Sequence, residues 1–197
     1  MSDILFGQSY DLRFDPKRWQ AMQPYPPLGT LYAASVARQQ GFQVALFDAM
    51  LADSEAEWQA ALAQHQPRFA IIYEDSFNYL SKMCLLAMRQ AAFAMIKMAK
   101  QHDCTIILCG SDASDHAAAY LQAGADFVLL GEGEETLVEL LAVLDGRSST
   151  QYSQILGLAY KDGEQICKNG RRPVPTGLDA LPFPAWDLVA VEKDRPL

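Results

Sequence analysis

Histidine and cysteine are scarce in this chain, with three His and four Cys among 197 residues. The cysteines, Cys84, Cys104, Cys109 and Cys167, form no Cys-x-x-Cys element, and the nearest two stand in one apolar run. Such thiols read as small buried hydrophobes, not as metal ligands or a disulfide scaffold. Positive charge is in deficit: 16 Lys and Arg against 24 Asp and Glu leave a net charge of −8. With no basic patch to offset it, nucleic acid and membrane surfaces are not expected partners. The amino terminus, Met-Ser-Asp-Ile-Leu-Phe-Gly, has no basic segment followed by a long apolar one, so no secretory signal is read and the cytoplasm is the expected location. Internal repeats are absent.

What the chain does have is ordinary globular composition, half apolar and a fifth charged. Short β-branched and aromatic runs recur at Ile4–Phe6, Val44–Phe47, Phe69–Tyr73, Thr105–Leu108 and Phe127–Leu130. Between them, apolar residues fall at helical spacing over Leu28–Gln40, Ser54–Gln64, Tyr79–Gln101, Ser114–Ala123 and Glu134–Leu144. Continuous apolar runs suit strands covered on both faces, so the expected fold is α/β: a doubly wound, flavodoxin- or Rossmann-like five-stranded parallel sheet. After Gly146 the pattern changes. Ile155–Tyr160 and Gln165–Lys168 around Lys161-Asp162-Gly163 read as a β-hairpin, and a proline-rich extended arm follows. The expected division is a domain over residues 1–146 and a hairpin with its arm over 147–197. Lys168, Arg171 and Arg172 read as solvated turn charges.

Two features exceed what a minimal fold of this kind needs. Between the first strand and first helix lies a loop of roughly twenty residues, Gln8–Pro27, carrying Tyr10, Phe14, Trp19 and Tyr25 and leaving through Pro24-Tyr25-Pro26-Pro27. It belongs to the carboxyl ends of the strands, where open α/β sheets bind ligands. The helix Tyr79–Gln101, about 34 Å long at the α-helical rise, is apolar over most of its circumference and holds four of the seven methionines. It suits either burial within the domain or a docking face, including a homodimer contact. Its charges exclude a membrane span.

Four loops at the strand exits are the candidate sites. Pro26, Pro27, Leu28, Gly29 and Thr30 open the first helix, offering either a ligand approach to exposed N–H groups or simply a proline-led helix start. Glu74-Asp75-Ser76-Phe77-Asn78 follows the third strand; capping explains one of its polar residues, which leaves Asp75, Ser76 and Asn78 as candidates. Gly110, Ser111 and Asp112 leave the fourth strand. Leu130, Gly131, Glu132, Gly133 and Glu134 leave the fifth, where acids also complement a helix dipole. His65 and His102 fall near helix ends away from these loops, and His116 reads as a first-turn surface residue. No nucleophile–base pair and no self-contained catalyst can be assembled.

Taken in order, Pro26-Pro27-Leu28-Gly29, Gly41-Phe42-Gln43-Val44 with Asp48, the glycine after strand four, Ala125-Asp126-Phe127-Val128, Gly131-Glu132-Gly133-Glu134-Glu135-Thr136-Leu137, Gly157-Leu158-Ala159-Tyr160 and Leu181-Pro182-Phe183-Pro184-Ala185-Trp186-Asp187 resemble the cobalamin-binding domain found N-terminal to the radical domain of cobalamin-dependent radical S-adenosylmethionine enzymes. The resemblance spans nearly the whole chain. It implies cobalamin as cofactor, bound by the four exit loops. It also implies a downstream catalytic domain in cis that would hold S-adenosylmethionine and a [4Fe-4S] cluster, in a methyltransferase- or cyclase-type enzyme. Related cobalamin domains carry Asp-x-His-x-x-Gly before the first helix, whose His coordinates cobalt. With Gly29 as the final Gly, the His position is Pro26 and the Asp position Pro24. The expectation is therefore base-off cobalamin with no His ligand. Gly110-Ser111 stands where the family usually has Gly-Gly, and the Cys-x-x-x-Cys-x-x-Cys of the radical domain is absent. The chain is accordingly read as an N-terminal part of a longer enzyme.

Two other classes remain in view. A ligand-free interaction or oligomerisation domain of the same fold would account for the Met-rich helix and the acidic loop. A receiver-like signalling domain would need an acidic pair after strand one and a Lys after strand five. Gly7-Gln8 and Gly131 stand there instead, and Asp75 alone fits.

Overall fold

Apolar runs that carry no polar alternation must be covered on both faces, and this chain covers them with helices. The computed structural model describes residues 2–14, 16–21, 24–74, 84–174 and 181–190. Its strands are β1 (Ile4–Gly7), β2 (Val44–Phe47), β3 (Phe69–Tyr73), β4 (Thr105–Cys109), β5 (Phe127–Leu129), β6 (Leu158–Asp162) and β7 (Gln165–Lys168). They form one sheet in the order β2-β1-β3-β4-β5-β6-β7. The first five strands are parallel, with Ile4 paired to Val44 on one side and to Phe69 on the other. The hairpin does not stand apart from them. β6 pairs antiparallel to β5, Val128 opposite Ala159, so the five-stranded expectation becomes a seven-stranded mixed sheet. Antiparallel pairing lets a short turn extend a sheet whose parallel edge would otherwise stay open.

The helices are α1 (Pro16–Ala21), α2 (Leu28–Gln39), α3 (Glu57–His65), α4 (Leu85–Lys100), α5 (Ser111–Asp115), α6 (Ala117–Ala123) and α7 (Glu134–Leu144). Side chains alternate through the sheet into two cores. Leu5, Ile72, Ile106 and Val128 meet Trp58 and Leu62 of α3, Met95 and Ile96 of α4 and Leu121 of α6. Ile4, Phe6, Ile71 and Leu129 meet Ala33, Ala34 and Ala37 of α2 and Leu137, Leu140 and Leu141 of α7. Two differences from the sequence reading are local. α1 forms inside the long loop. The helix read over Ser114–Ala123 begins at Ser111 and breaks at His116, whose φ of −116° is not helical. Of the helix read over Tyr79–Gln101, residues 79–83 lie outside the described residues, and Met88 and Met95 of α4 are buried within the domain.

Residues 183–189 of the arm are docked on the domain. Ser35 Oγ donates to the Phe183 carbonyl at 2.6 Å, Arg38 holds both Asp187 oxygens at 2.7 Å, and Ala185 N–H reaches the Leu31 carbonyl at 3.2 Å. Ala185 and Val189 are buried, and Trp186–Leu188 forms a 3-10 turn. Arg172 corrects the reading of solvated charges: its side chain is 12% exposed and pairs with Glu135 at 3.2 Å and Glu139 at 2.7 Å on α7. Its Nε also donates to Thr136 Oγ1 at 3.0 Å. No helix among the described residues is long and apolar enough to cross a membrane.

Trp58 is the largest fully buried side chain, with its Nε1–H on the Met95 carbonyl at 3.2 Å and its ring 5.4 Å from that of Phe47. Trp58→Ala is expected to lower unfolding free energy by about 3–5 kcal/mol, read by urea denaturation.

Candidate functional site

β1 lies between β2 and β3. The chain leaves β1 toward α2 on one face and leaves β3 toward α4 on the other, which opens a crevice between their carboxyl ends. The first turn of α2 is fixed to this crevice by Thr30 Oγ1, which donates to the Tyr73 carbonyl at 2.7 Å. Across it, Ser9 N–H donates to Glu74 Oε1 at 2.9 Å, joining the exits of β1 and β3. Gln8, Ser9, Tyr10 and Asp11 are all buried, an unusual density of polar groups for a loop. Burial pushes the Asp11 carboxyl above its ordinary 3.8, against the Arg13 N–H that bonds it at 2.8 Å. Tyr10 packs with Leu12, Met50 and Met88 and faces Tyr25 across 6.3 Å. The Gln8 side-chain Nε2 is buried and has no hydrogen-bond partner among the described residues. A buried donor left unmade costs about 1–3 kcal/mol.

The exits of β4 and β5 complete the rim. Gly110 has φ 150° and ψ 166°, a region essentially closed to other residues, and a Cβ there would stand 2.7 Å from Glu74 Cβ. Gly133 is required by close approach, since its Cβ would meet Cys109 Sγ at 2.5 Å and Tyr73 Oη at 3.0 Å. Burial pushes the Tyr73 phenol well above 10.0, with Cys109 and Glu134 beside it adding to the rise. Burial likewise pushes the Cys109 thiol up to about 12, so this is a protonated, inert thiol. Gly131, exposed with φ +77°, donates its N–H to Ser114 Oγ at 3.0 Å.

The structure therefore brings together Pro26, Pro27, Leu28, Gly29 and Thr30 at α2, Gly110 and Ser111 after β4, and Leu130, Gly131, Glu132, Gly133 and Glu134 after β5, all at one end of the sheet. Asp75, Ser76 and Asn78 lie outside the described residues. Asp112 is committed elsewhere. Arg89 grips it at 2.8 and 2.6 Å and Tyr120 Oη donates to it at 2.6 Å. Burial alone would raise its carboxyl, but these bonds outweigh burial and hold it below 3.8. His116 is exposed, 3.8 Å from the same carboxylate. Sequence reading did not single out Gln8 or Glu74, because the joining of the β1 and β3 exits links residues 65 apart, Ser9 and Glu74.

These residues offer hydrogen-bond donors to a cofactor rich in oxygen acceptors. α2 and α7 both start without a capping side chain, leaving backbone N–H donors at the rim. Gln8 adds an unspent carboxamide. No group of three or more His, Cys, Asp or Glu able to hold a metal occurs among the described residues. A shallow hollow lined by Asp3, Phe42, Arg68, Asp145 and Arg147 lies at the opposite, amino-terminal edge of the sheet.

The depressed Asp112 carboxyl makes a pH prediction. A folded-state value below the unfolded one contributes stability above 3.8 that is lost as pH falls through the folded value. Asp112→Asn is expected to lose about 1–2 kcal/mol at neutral pH by urea denaturation, and its deficit should shrink toward zero below pH 3.8.

Comparison with known proteins identifies the family. The B12 binding domain family model matches residues 20–141. An uncharacterised methyltransferase of Pyrococcus horikoshii, PH0819, is 35% identical over 68 residues, covering 34% of this chain and 14% of that protein. Among solved structures, the cobalamin-dependent S-adenosylmethionine radical enzyme OxsB, with aqua-cobalamin and S-adenosylmethionine bound, superposes with a TM-score of 0.69 at 16% identity, over 98% of this chain and 25% of that one. The radical S-adenosylmethionine methyltransferase TsrM from Kitasatospora setae, with cobalamin and a [4Fe-4S] cluster bound, gives 0.63 at 16% identity, over 93% and 31%. The structural likenesses establish the fold, and this chain spans only a minor part of each relative. The family match covers more than half of the chain, taking in residues 26–30, 110–112 and 130–134 though not Gln8–Asp11, and on it this chain belongs to the B12 binding domain family.

Proposed function

We propose that this chain binds cobalamin and serves as the cofactor module of a radical S-adenosylmethionine enzyme of methyltransferase or cyclase type. The observation that carries this reading is the family match over residues 20–141, which spans all four exit loops. On this proposal residues 26–30, 110–112 and 130–134 are the cofactor-bordering loops, with Asp75, Ser76 and Asn78 as further candidates outside the described residues. Residues 1–146 form the module, and 147–197 lead toward a catalytic domain that would hold S-adenosylmethionine and a [4Fe-4S] cluster. Bound cobalamin supplies a cobalt centre able to carry a methyl group or a single electron.

The chain's own residues do the holding. The Thr30–Tyr73 and Ser9–Glu74 bonds keep the crevice at fixed width. The uncapped starts of α2 and α7 offer N–H donors to amide and phosphate oxygens. Pro26 cannot ligate cobalt, which supports base-off cobalamin without a protein nitrogen below the metal. A cytoplasmic setting accords with this chemistry and with four free cysteines. A homodimer through Tyr79–Gln101 is favoured by one observation, Leu86 standing 73% exposed on α4.

The chain titrated with hydroxocobalamin is expected to retain cobalt through gel filtration at micromolar protein. After reduction to cob(II)alamin, its electron paramagnetic resonance should lack nitrogen superhyperfine splitting. Failure to retain cobalt contradicts the binding proposal and favours an interaction domain, whereas retention with nitrogen splitting contradicts only the base-off form. Light scattering should report twice the chain mass for the dimer, reduced to one by Leu86→Glu. A single mass in the wild type rules the dimer out.

A further inference from the structure

Along β1 the side chains of Ile4 and Phe6 face the core beneath α2 and α7, while Leu5 faces that of α3 and α4, and the space beside Gly7 is taken by Trp58 and Met95 of the latter. Gln8 follows β1 directly, at the carboxyl end where the crevice between β1 and β3 opens, and continuing this alternation would turn it to the α2 side. Gln8 is 1% exposed, and its Nε2 donor is buried and unmet among the described residues. Neighbouring polar groups find partners: Ser9 N–H on Glu74, Asp11 on Arg13 N–H, Thr30 on the Tyr73 carbonyl. A glutamine adds nothing to folding at such a position that a leucine or methionine would not match. Its polar end is explained by a ligand oxygen arriving from the crevice.

We propose that Gln8 is a recognition residue for the cofactor, its Nε2–H donating to an oxygen of bound cobalamin. The inference rests on the cobalamin reading above and goes beyond it by assigning a contact to a residue that none of the candidate segments 26–30, 75–78, 110–112 and 130–134 includes. The acceptor is an amide carbonyl of the corrin side chains or an oxygen of the nucleotide tail, both of which present the same hydrogen-bond chemistry. The donor is set in advance by burial, so no side-chain ordering accompanies binding.

Gln8→Leu and Gln8→Met separate recognition from structure, because removing an unmet buried amide does not weaken the cofactor-free fold. Both variants are expected to melt at or above the wild-type temperature without cofactor, and to bind hydroxocobalamin at least tenfold more weakly, a difference of about 1.4 kcal/mol. Equal loss toward cobinamide, which lacks the nucleotide, assigns the acceptor to the corrin. Loss confined to hydroxocobalamin assigns it to the tail. If the wild type binds and both variants bind equally well, the assignment of Gln8 is wrong and the cobalamin reading stands. If both variants melt lower and bind more weakly in proportion, Gln8 is a structural residue and the assignment is again wrong. If the wild type itself does not bind, both readings fall together.

Discussion

Every residue of β3, from Phe69 to Tyr73, is buried, and the middle one of the five parallel strands thus has no side chain free to meet a ligand from either face of the sheet. This constraint decides where chemistry can happen. Helices cover both faces and the hairpin covers one edge, so polar groups collect only where strands end. At the carboxyl ends the backbone turns away on opposite faces after β1 and β3, and the bonds from Thr30 to the Tyr73 carbonyl and from Ser9 to Glu74 hold that opening in shape. The glycines at 110 and 133 follow from the same crowding. Each is small because Glu74, or the Cys109–Tyr73 pair, already fills the space a side chain would need.

The segment after the hairpin belongs to this arrangement too. Arg172 grips α7 through Thr136, Glu135 and Glu139, and residues 183–187 grip α2 through Ser35, Leu31 and Arg38. These are the two helices whose uncapped starts border the crevice. The exposed Arg38–Asp187 pair contributes no more than about 1 kcal/mol, so the burial of Ala185 and Val189 and the backbone bond to Leu31 carry more of this docking.

Much of the fold was legible because it is written in local pattern. Val44–Phe47, Phe69–Tyr73 and Glu134–Leu144 form at the limits their apolar spacing indicates. α1 was not legible, since six residues amid prolines and aromatics carry no period to read. The seven-stranded sheet was not legible either: that β6 adds to β5 depends on pairing across some thirty residues, Leu129 with Leu158. Among site residues, the proline-led start of α2 and the glycine-rich turns were readable from composition. The commitment of Asp112 to Arg89 and Tyr120, the burial of Arg172 against α7 and the unmet amide of Gln8 were not, because each follows from a neighbour distant in sequence.

The central claim is that the carboxyl ends of β1, β3, β4 and β5 form the cobalamin site of this chain. A crystal structure of the chain grown with hydroxocobalamin tests it most directly. The account predicts corrin density over those strand ends, between the starts of α2 and α7, with no protein nitrogen on cobalt. Density at the opposite edge beside Asp3 and Arg147, or cobalt held by His116, would contradict it.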